Sequence, residues 1–332
     1  MRNRCLLITT CLVLSYAGSL PAHKGKAAVA RILNVSGKPV VSDSVSGRPR
    51  RASIYGGLFE EDEIQLPADS ALTLCWNESN RMELVSGPQD RPLRIKDGKL
   101  KPEVGTAVAL PRKAIANIED LVGALPPISQ GAVVVPRSDG QSPLKPRIIP
   151  VVDSRLLSDT PEFAWEQSEG VEQYKAQLFQ GDSDKPLWTS DATKNTRLKY
   201  DGAKKLRPGI RYRWHVTNPK SKKPVVEGAF TIANERQQQE AQAVQELAPV
   251  DMPDKSDVVL LVLAANYYEQ NRYFAEAIVC YERLTKAQPE SADFWAALAE
   301  LYARAGQSSD AKKATATAQK LGFEFAKAEE LK

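Results

Sequence analysis

The sequence predicts a multidomain chain, all-β for most of its length and all-α at its end. Three observations carry this. Short runs of alternating apolar and polar residues, cut by Gly, Pro and Asp turn signals, fill residues 27–110 and again 150–233. A proline-dense stretch, 111–149, lies between them. Residues 258–325 repeat with a period of 34. At 332 residues the chain has room for two or three domains. Its net charge of +4, from 45 Lys and Arg against 41 Asp and Glu, is far from the strongly basic face of a nucleic-acid binder.

Residues 1–22 read as a secretory signal peptide. Arg2 and Arg4 form a basic start, Cys5 to Leu14 is an apolar stretch, and Ser15-Tyr16-Ala17, Ala17-Gly18-Ser19 and Leu20-Pro21-Ala22 offer small-residue cleavage sites. A spanning helix needs about 20 apolar residues, and Thr9, Thr10, Gly18 and Pro21 interrupt this run. The best later candidate, Val258 to Ala265, is only eight residues long. The expectation is a periplasmic or secreted, cell-surface protein with no transmembrane segment after cleavage. Cleavage within residues 17–23 lowers the net charge from +4 to +2 and removes Cys5 and Cys11. The remaining Cys75 and Cys280 fall in a strand and a helix of different domains and are expected as buried free thiols.

In the 27–110 segment Leu72, Leu74 and Trp76 share one face of Ser70–Trp76, and Met82 and Leu84 repeat the pattern. Ile54-Tyr55 after Ala52-Ser53 is read as a further short run, and Val104 to Leu110 as the closing one. Turn signals at Ser36-Gly37-Lys38-Pro39, Gly56-Gly57, Pro67-Ala68-Asp69, Gly87-Pro88 and Asp97-Gly98 separate the strands. Three stretches, Ala30 to Gly37, Gly57 to Ile64 and Ser70 to Leu74, resemble the FecR-like extracytoplasmic β domain, with Glu61 where that family usually carries Gly. The resemblance implies a non-catalytic β module used in envelope signalling or surface binding, with no active-site residues to carry over.

Residues 111–149, holding Pro111, Pro126, Pro127, Pro136, Pro143 and Pro146, are expected as an extended linker with helical spacing only from Ile115 to Leu125. Beyond it, five aromatic-anchored runs are spaced like sandwich strands: Phe163–Trp165, Tyr174–Phe179, Leu187–Trp188, Arg211–Val216 and Gly228–Ile232. Leu206-Arg207-Pro208-Gly209-Ile210-Arg211-Tyr212 resembles the tyrosine corner of a fibronectin III or immunoglobulin-like sandwich, which implies that the Tyr212 hydroxyl bonds back to the preceding turn. Trp165 and Trp214 are placed in the core. Trp188, near a turn, is the one with a claim to a sugar-stacking role.

Helical spacing of Ala241, Val244, Leu247 and Ala248 predicts one amphipathic helix over 235–248, which opens the helical region 235–332. In the repeats, 258–291 and 292–325, the pairs Leu261/Trp295, Ala264/Leu298, Ala265/Ala299, Tyr268/Tyr302, Ala277/Ala311 and Leu284/Ala318 are each 34 residues apart. With Tyr281 and Pro289 the first copy resembles the tetratricopeptide repeat (TPR), a pair of antiparallel helices. Small residues at Ala265 and Ala277 let the two helices approach, and Tyr268 and Tyr281 fill the wider gaps. The second copy departs at Thr315 and Phe323 and reads as a terminal repeat, with Gly306 ending its first helix in a left-handed conformation. Two repeats bury little, so the 235–248 helix and the tail Phe325–Leu331 are expected as caps. The family's concave face implies a groove lined by Val262, Asn266, Glu269, Gln270, Ala297, Glu300 and Arg304, suited to an extended peptide or a helix.

Phosphate-cradling, dinucleotide, zinc-protease, Cys-x-x-Cys and Gly-x-Ser-x-Gly motifs are all missing, and only His23 and His215 supply imidazoles. No catalytic residue, metal or cofactor is expected. Ser309-Asp310-Ala311-Lys312 reads as a helix N-terminus, and Glu60-Glu61-Asp62-Glu63 as a solvated turn. The basic runs Arg48-Pro49-Arg50-Arg51 and Lys220-Ser221-Lys222-Lys223 lack interleaved aromatics, which argues against nucleic acid and leaves an anionic wall polymer as a second candidate ligand. The functional expectation is an exported scaffold that binds a protein or peptide partner in the envelope. The alternatives are a FecR-like envelope sensor and a glycan-acting enzyme with an unrecognised site.

Overall fold

The structure, a computed structural model, describes residues 27–79, 81–108, 153–220, 224–247 and 258–325. The expected signal segment, the linker 111–149 and the tail beyond Phe325 lie outside the described residues.

The first β unit has two antiparallel sheets. One comprises β1 (Ala30–Ser36), β4 (Gly57–Leu58), β6 (Ala71–Trp76), β7 (Met82–Ser86) and β10 (Thr106–Ala107), in the order β10-β7-β6-β1-β4. The other comprises β2 (Val40–Ser42), β3 (Pro49–Arg51), β5 (Glu63–Gln65), β8 (Leu93–Lys96) and β9 (Lys99–Lys101), in the order β3-β2-β5-β8-β9. Their inner faces share one core, in which Ile32, Leu72, Leu74 and Trp76 meet Val41, Ile64, Leu93 and Ile95. Each such aliphatic side chain contributes about 1.5–3 kcal/mol on burial.

Two sequence expectations change here. Ile54 and Tyr55 belong to no strand; they sit in a turn closed by Gly56 N–H donating to Ser53 O (3.0 Å). Among the acids at 60–63, Asp62 is buried rather than solvated. Its carboxylate accepts the Phe59 and Ser44 N–H groups (3.1 and 3.0 Å), while Glu60 accepts Gly98 N–H (2.7 Å) and Glu63 pairs with Arg94. Glu61 also pairs with Arg94 (3.7 Å), so all four acids help to organise the loop and its neighbours.

In the second β unit, β11 (Ser154–Leu156), β13 (Lys175–Gln180), β14 (Trp188–Thr189), β16 (Arg211–Thr217) and β17 (Pro224–Ile232) form a sheet ordered β11-β17-β16-β13-β14. A two-stranded sheet of β12 (Glu162–Ala164) and β15 (Arg197–Lys199) shares its core. Trp165 and Trp214 are buried there, with Phe163 5.0 Å from Trp214 between ring centres. The Tyr212 hydroxyl accepts the Arg207 N–H (2.8 Å), which pins the turn ahead of β16. Trp188 is half-buried: it stacks on Phe163 and donates from its indole nitrogen to Asp201 (2.8 Å), so its ring is committed to packing.

Five helices follow among the described residues: α1 (Glu235–Leu247), α2 (Val258–Gln270), α3 (Phe274–Ala287), α4 (Ala292–Arg304) and α5 (Ser308–Lys320). The starts of α2 and α4, and of α3 and α5, are each 34 residues apart, so the sequence period is the period of the hairpins. Asn234 caps α1 reciprocally with Gln237: each side chain accepts the other's backbone N–H (3.0 Å). Ala241 and Val244 of α1 pack on the first hairpin, and Tyr268 and Tyr273 donate to its carbonyls at Ala241 and Gln237 (3.4 Å). No helix among the described residues is long and apolar enough to cross a membrane.

Candidate functional site

Helix α2 carries four of the seven residues expected to line the groove, Val262, Asn266, Glu269 and Gln270. This helix is buried without a break from Val258 to Tyr268, on all sides, so it must be covered on the face away from α3 as well. The cover is the first β unit. Cys75 and Met82, on the outer face of its sheet, belong to the same apolar cluster as α2 and α3. Leu33 joins them through a β-bulge: Ile32 pairs with Leu74 and Asn34 with Thr73, which leaves Leu33 as the extra residue, aimed at the helices. On the other side Ile32 stays in the β core.

The turn Ser53–Gly56 completes the contact. Tyr55 has φ of +62°, uncommon for a bulky residue and of order 1–3 kcal/mol in cost. Backbone bonds to β1 hold it there, Tyr55 N–H to Ile32 O (2.7 Å) and Ile32 N–H to Gly56 O (3.0 Å). Gly56 is required, because a Cβ would stand 2.8 Å from Ser53 O. In this pose the Tyr55 hydroxyl donates to the Val262 carbonyl (3.0 Å) and hydrogen-bonds with the Tyr281 hydroxyl. Ile54 N–H reaches Asp293 (3.4 Å) and Arg51 reaches the Leu321 carbonyl (3.0 Å), so one loop touches both repeats.

Of the groove residues expected from sequence, Val262 and Asn266 are buried and Glu269 partly so. Gln270 and Arg304 are exposed; Ala297 and Glu300 are intermediate. Arg304 pairs with Glu300 and lies over the Phe274 ring (5.7 Å). The structure therefore divides the set into a covered floor and an open rim. Burial, reinforced by Glu300, pushes the Glu269 carboxyl up to about 7, against the opposing pull of Arg304 and the Tyr281 hydroxyl. Burial likewise raises Asp293 and Glu276. Cys75 and Cys280, both free and buried, are raised to about 11 and about 12 by desolvation, which suits packing groups rather than nucleophiles.

Among the helix-packing positions, Leu261, Ala265, Tyr268, Ala277, Tyr281, Leu298, Ala299, Ala311 and Ala318 are buried, Trp295 and Tyr302 half-buried, and Pro289 exposed. Arg50 donates to the Gly57 carbonyl (2.7 Å), Lys220 pairs with Glu172 (2.8 Å) and Arg51 reaches Leu321, so these three basic side chains are engaged by the protein itself. Sequence reasoning missed Tyr55. Its signals were present: an apolar α2 with no polar face, and Thr73 and Cys75 extending Leu72, Leu74 and Trp76 into a strand apolar on both faces.

A family model of the tetratricopeptide repeat matches residues 258–301, which spans α2, α3 and most of α4. No curated protein matches the chain.

Proposed function

We propose that this chain is an exported, non-enzymatic scaffold of the cell envelope whose helical repeats bind a protein or peptide partner on their concave side. The repeat family points to protein–protein interaction. One observation carries the reading: α2, the helix expected to line the groove, already holds a folded protein surface, gripping a tyrosine hydroxyl by a helix carbonyl and covering an apolar sheet. The open rim of Gln270, Glu300 and Arg304 supplies donors and acceptors for a peptide backbone. The basic start, apolar core and small-residue sites of residues 1–22 support export.

The test is affinity capture from an envelope fraction with the full-length protein and with Gln270→Ala combined with Arg304→Ala. Loss of a captured partner with a nearly unchanged melting curve supports the rim as the binding edge, since exposed polar substitutions shift stability by about 0.5 kcal/mol or less. A partner captured equally by both proteins contradicts it and moves the interaction to the β units.

A further inference from the structure

The floor of the concave face is covered by the protein's own first β unit, and this contact differs in kind from the cores on either side of it. Those cores are built of apolar side chains. The junction adds to Leu33, Cys75 and Met82 a turn whose central tyrosine is held at a positive φ and the largely desolvated carboxyls of Glu269 and Asp293. The hydrogen bonds from the Arg51–Tyr55 loop to the helical region go to Val262, Tyr281, Asp293 and Leu321, the one to Asp293 at 3.4 Å. Strain and desolvated acids lower the stability of a contact relative to the packed units it links, and regions of this sort open first.

We infer that the concave face is self-masked: the first β unit, clasped by Tyr55, occupies the groove floor, and a partner reaches Val262 and Asn266 only when that clasp opens. This rests on the reading that the concave face is where a partner binds. It adds that the free protein sits in a closed state, so a partner's apparent affinity is reduced by the fraction that is open. The competing ligand is defined by the clasp itself: a peptide turn presenting a phenol or similar donor to the Val262 carbonyl.

The full-length protein tests this through Cys75, which faces the helices from β6 and is fully buried in the closed state. Alkylation by N-ethylmaleimide is followed at the Cys75 peptide by mass spectrometry, alongside tryptophan fluorescence of the second β unit, where Trp165 and Trp214 report unfolding. Opening of the clasp predicts that Cys75 reacts faster than the tryptophans become exposed. Tyr55→Phe, which deletes one hydroxyl and keeps the ring, then speeds Cys75 labelling about five- to tenfold with the fluorescence unchanged, as fits the loss of one hydrogen bond. Cys75 reacting only as fast as the second β unit unfolds, in the parent and in Tyr55→Phe alike, overturns the inference and makes the junction part of one cooperative core. No partner enters this measurement, so its failure leaves the capture result standing, and a failed capture leaves the labelling result standing.

Discussion

The first hairpin is enclosed by α1, by the first β unit and by the second hairpin, whereas the last helix of the second hairpin buries only Ala311, Ala314 and Ala318. Both are written on the same 34-residue period and turn alike, with Arg272 at φ +63° and Gly306, 34 residues on, at +68°. Shared helix–turn–helix geometry therefore does not mean shared burial. The period sets where helices start and which small residues let them touch. What covers the hairpin decides how apolar the remaining positions are, which is why α2 reads Val-Val-Leu-Leu-Val-Leu-Ala-Ala and α5 reads Ser-Ser-Asp-Ala-Lys-Lys-Ala-Thr.

The comparison is sharpest at Tyr281 and Thr315, equivalent positions 34 residues apart. Tyr281 is buried under Tyr55, while Thr315 is half-buried and donates its hydroxyl to the Ala311 carbonyl within its own helix (2.8 Å). Tyr281→Ala is expected to cost about 3–5 kcal/mol in chemical denaturation, the range for emptying a large aromatic site. Thr315→Ala is expected to stay within about 0.5 kcal/mol. Similar costs at the two positions would mean that the hairpins are equally enclosed.

A second difference is electrostatic. Glu269, Glu276 and Asp293, all in the hairpins, have raised carboxyls, each chiefly through burial, with Glu269 moved from an ordinary 4.5 to about 7. A carboxyl held above its unfolded value binds more protons when folded. Its stabilising effect is complete below the unfolded value and is lost as pH rises through the folded one. The melting temperature is expected to fall between pH 5 and pH 8, and Glu269→Gln to flatten part of that fall. A profile identical in the variant would show that Glu269 ionises normally.

A further contrast lies at the two turns. Gly306→Ala forces a Cβ into the left-handed region and is expected to cost about 1 kcal/mol, whereas Arg272→Gly removes such a Cβ and is expected to gain up to about 1 kcal/mol. Opposite signs of the change in denaturation midpoint support equivalent turns; equal signs contradict them.

How much of this was legible in the sequence follows from the range of each signal. Alternation in Leu72, Leu74 and Trp76 and the 34-residue pairs report local periodicity, and the β core and the hairpins both follow them. Helix α1 was legible for the same reason, from Ala241 and Val244, whereas its Asn234 cap was not read. Tyr55 was not. Beside Ile54 it resembles a strand residue, and only the long-range bonds to β1 and to Val262 make it a turn residue inside a groove. The burial of Asp62 was hidden likewise, since its partners at Ser44 and Phe59 depend on loop geometry rather than on composition. The repeat resemblance placed all seven groove residues on the first helices of the repeats, but it carries no information on which of them the first β unit covers.

The most direct test of the account is amide hydrogen exchange of the full-length protein, read by mass spectrometry over α2 and α5. If α2 is the enclosed junction between the hairpins and the first β unit, amides from Val258 to Tyr268 exchange among the slowest in the helical region and those from Ser308 to Lys320 among the fastest. Equal protection of the two helices, or slower exchange in α5, would contradict a covered first hairpin.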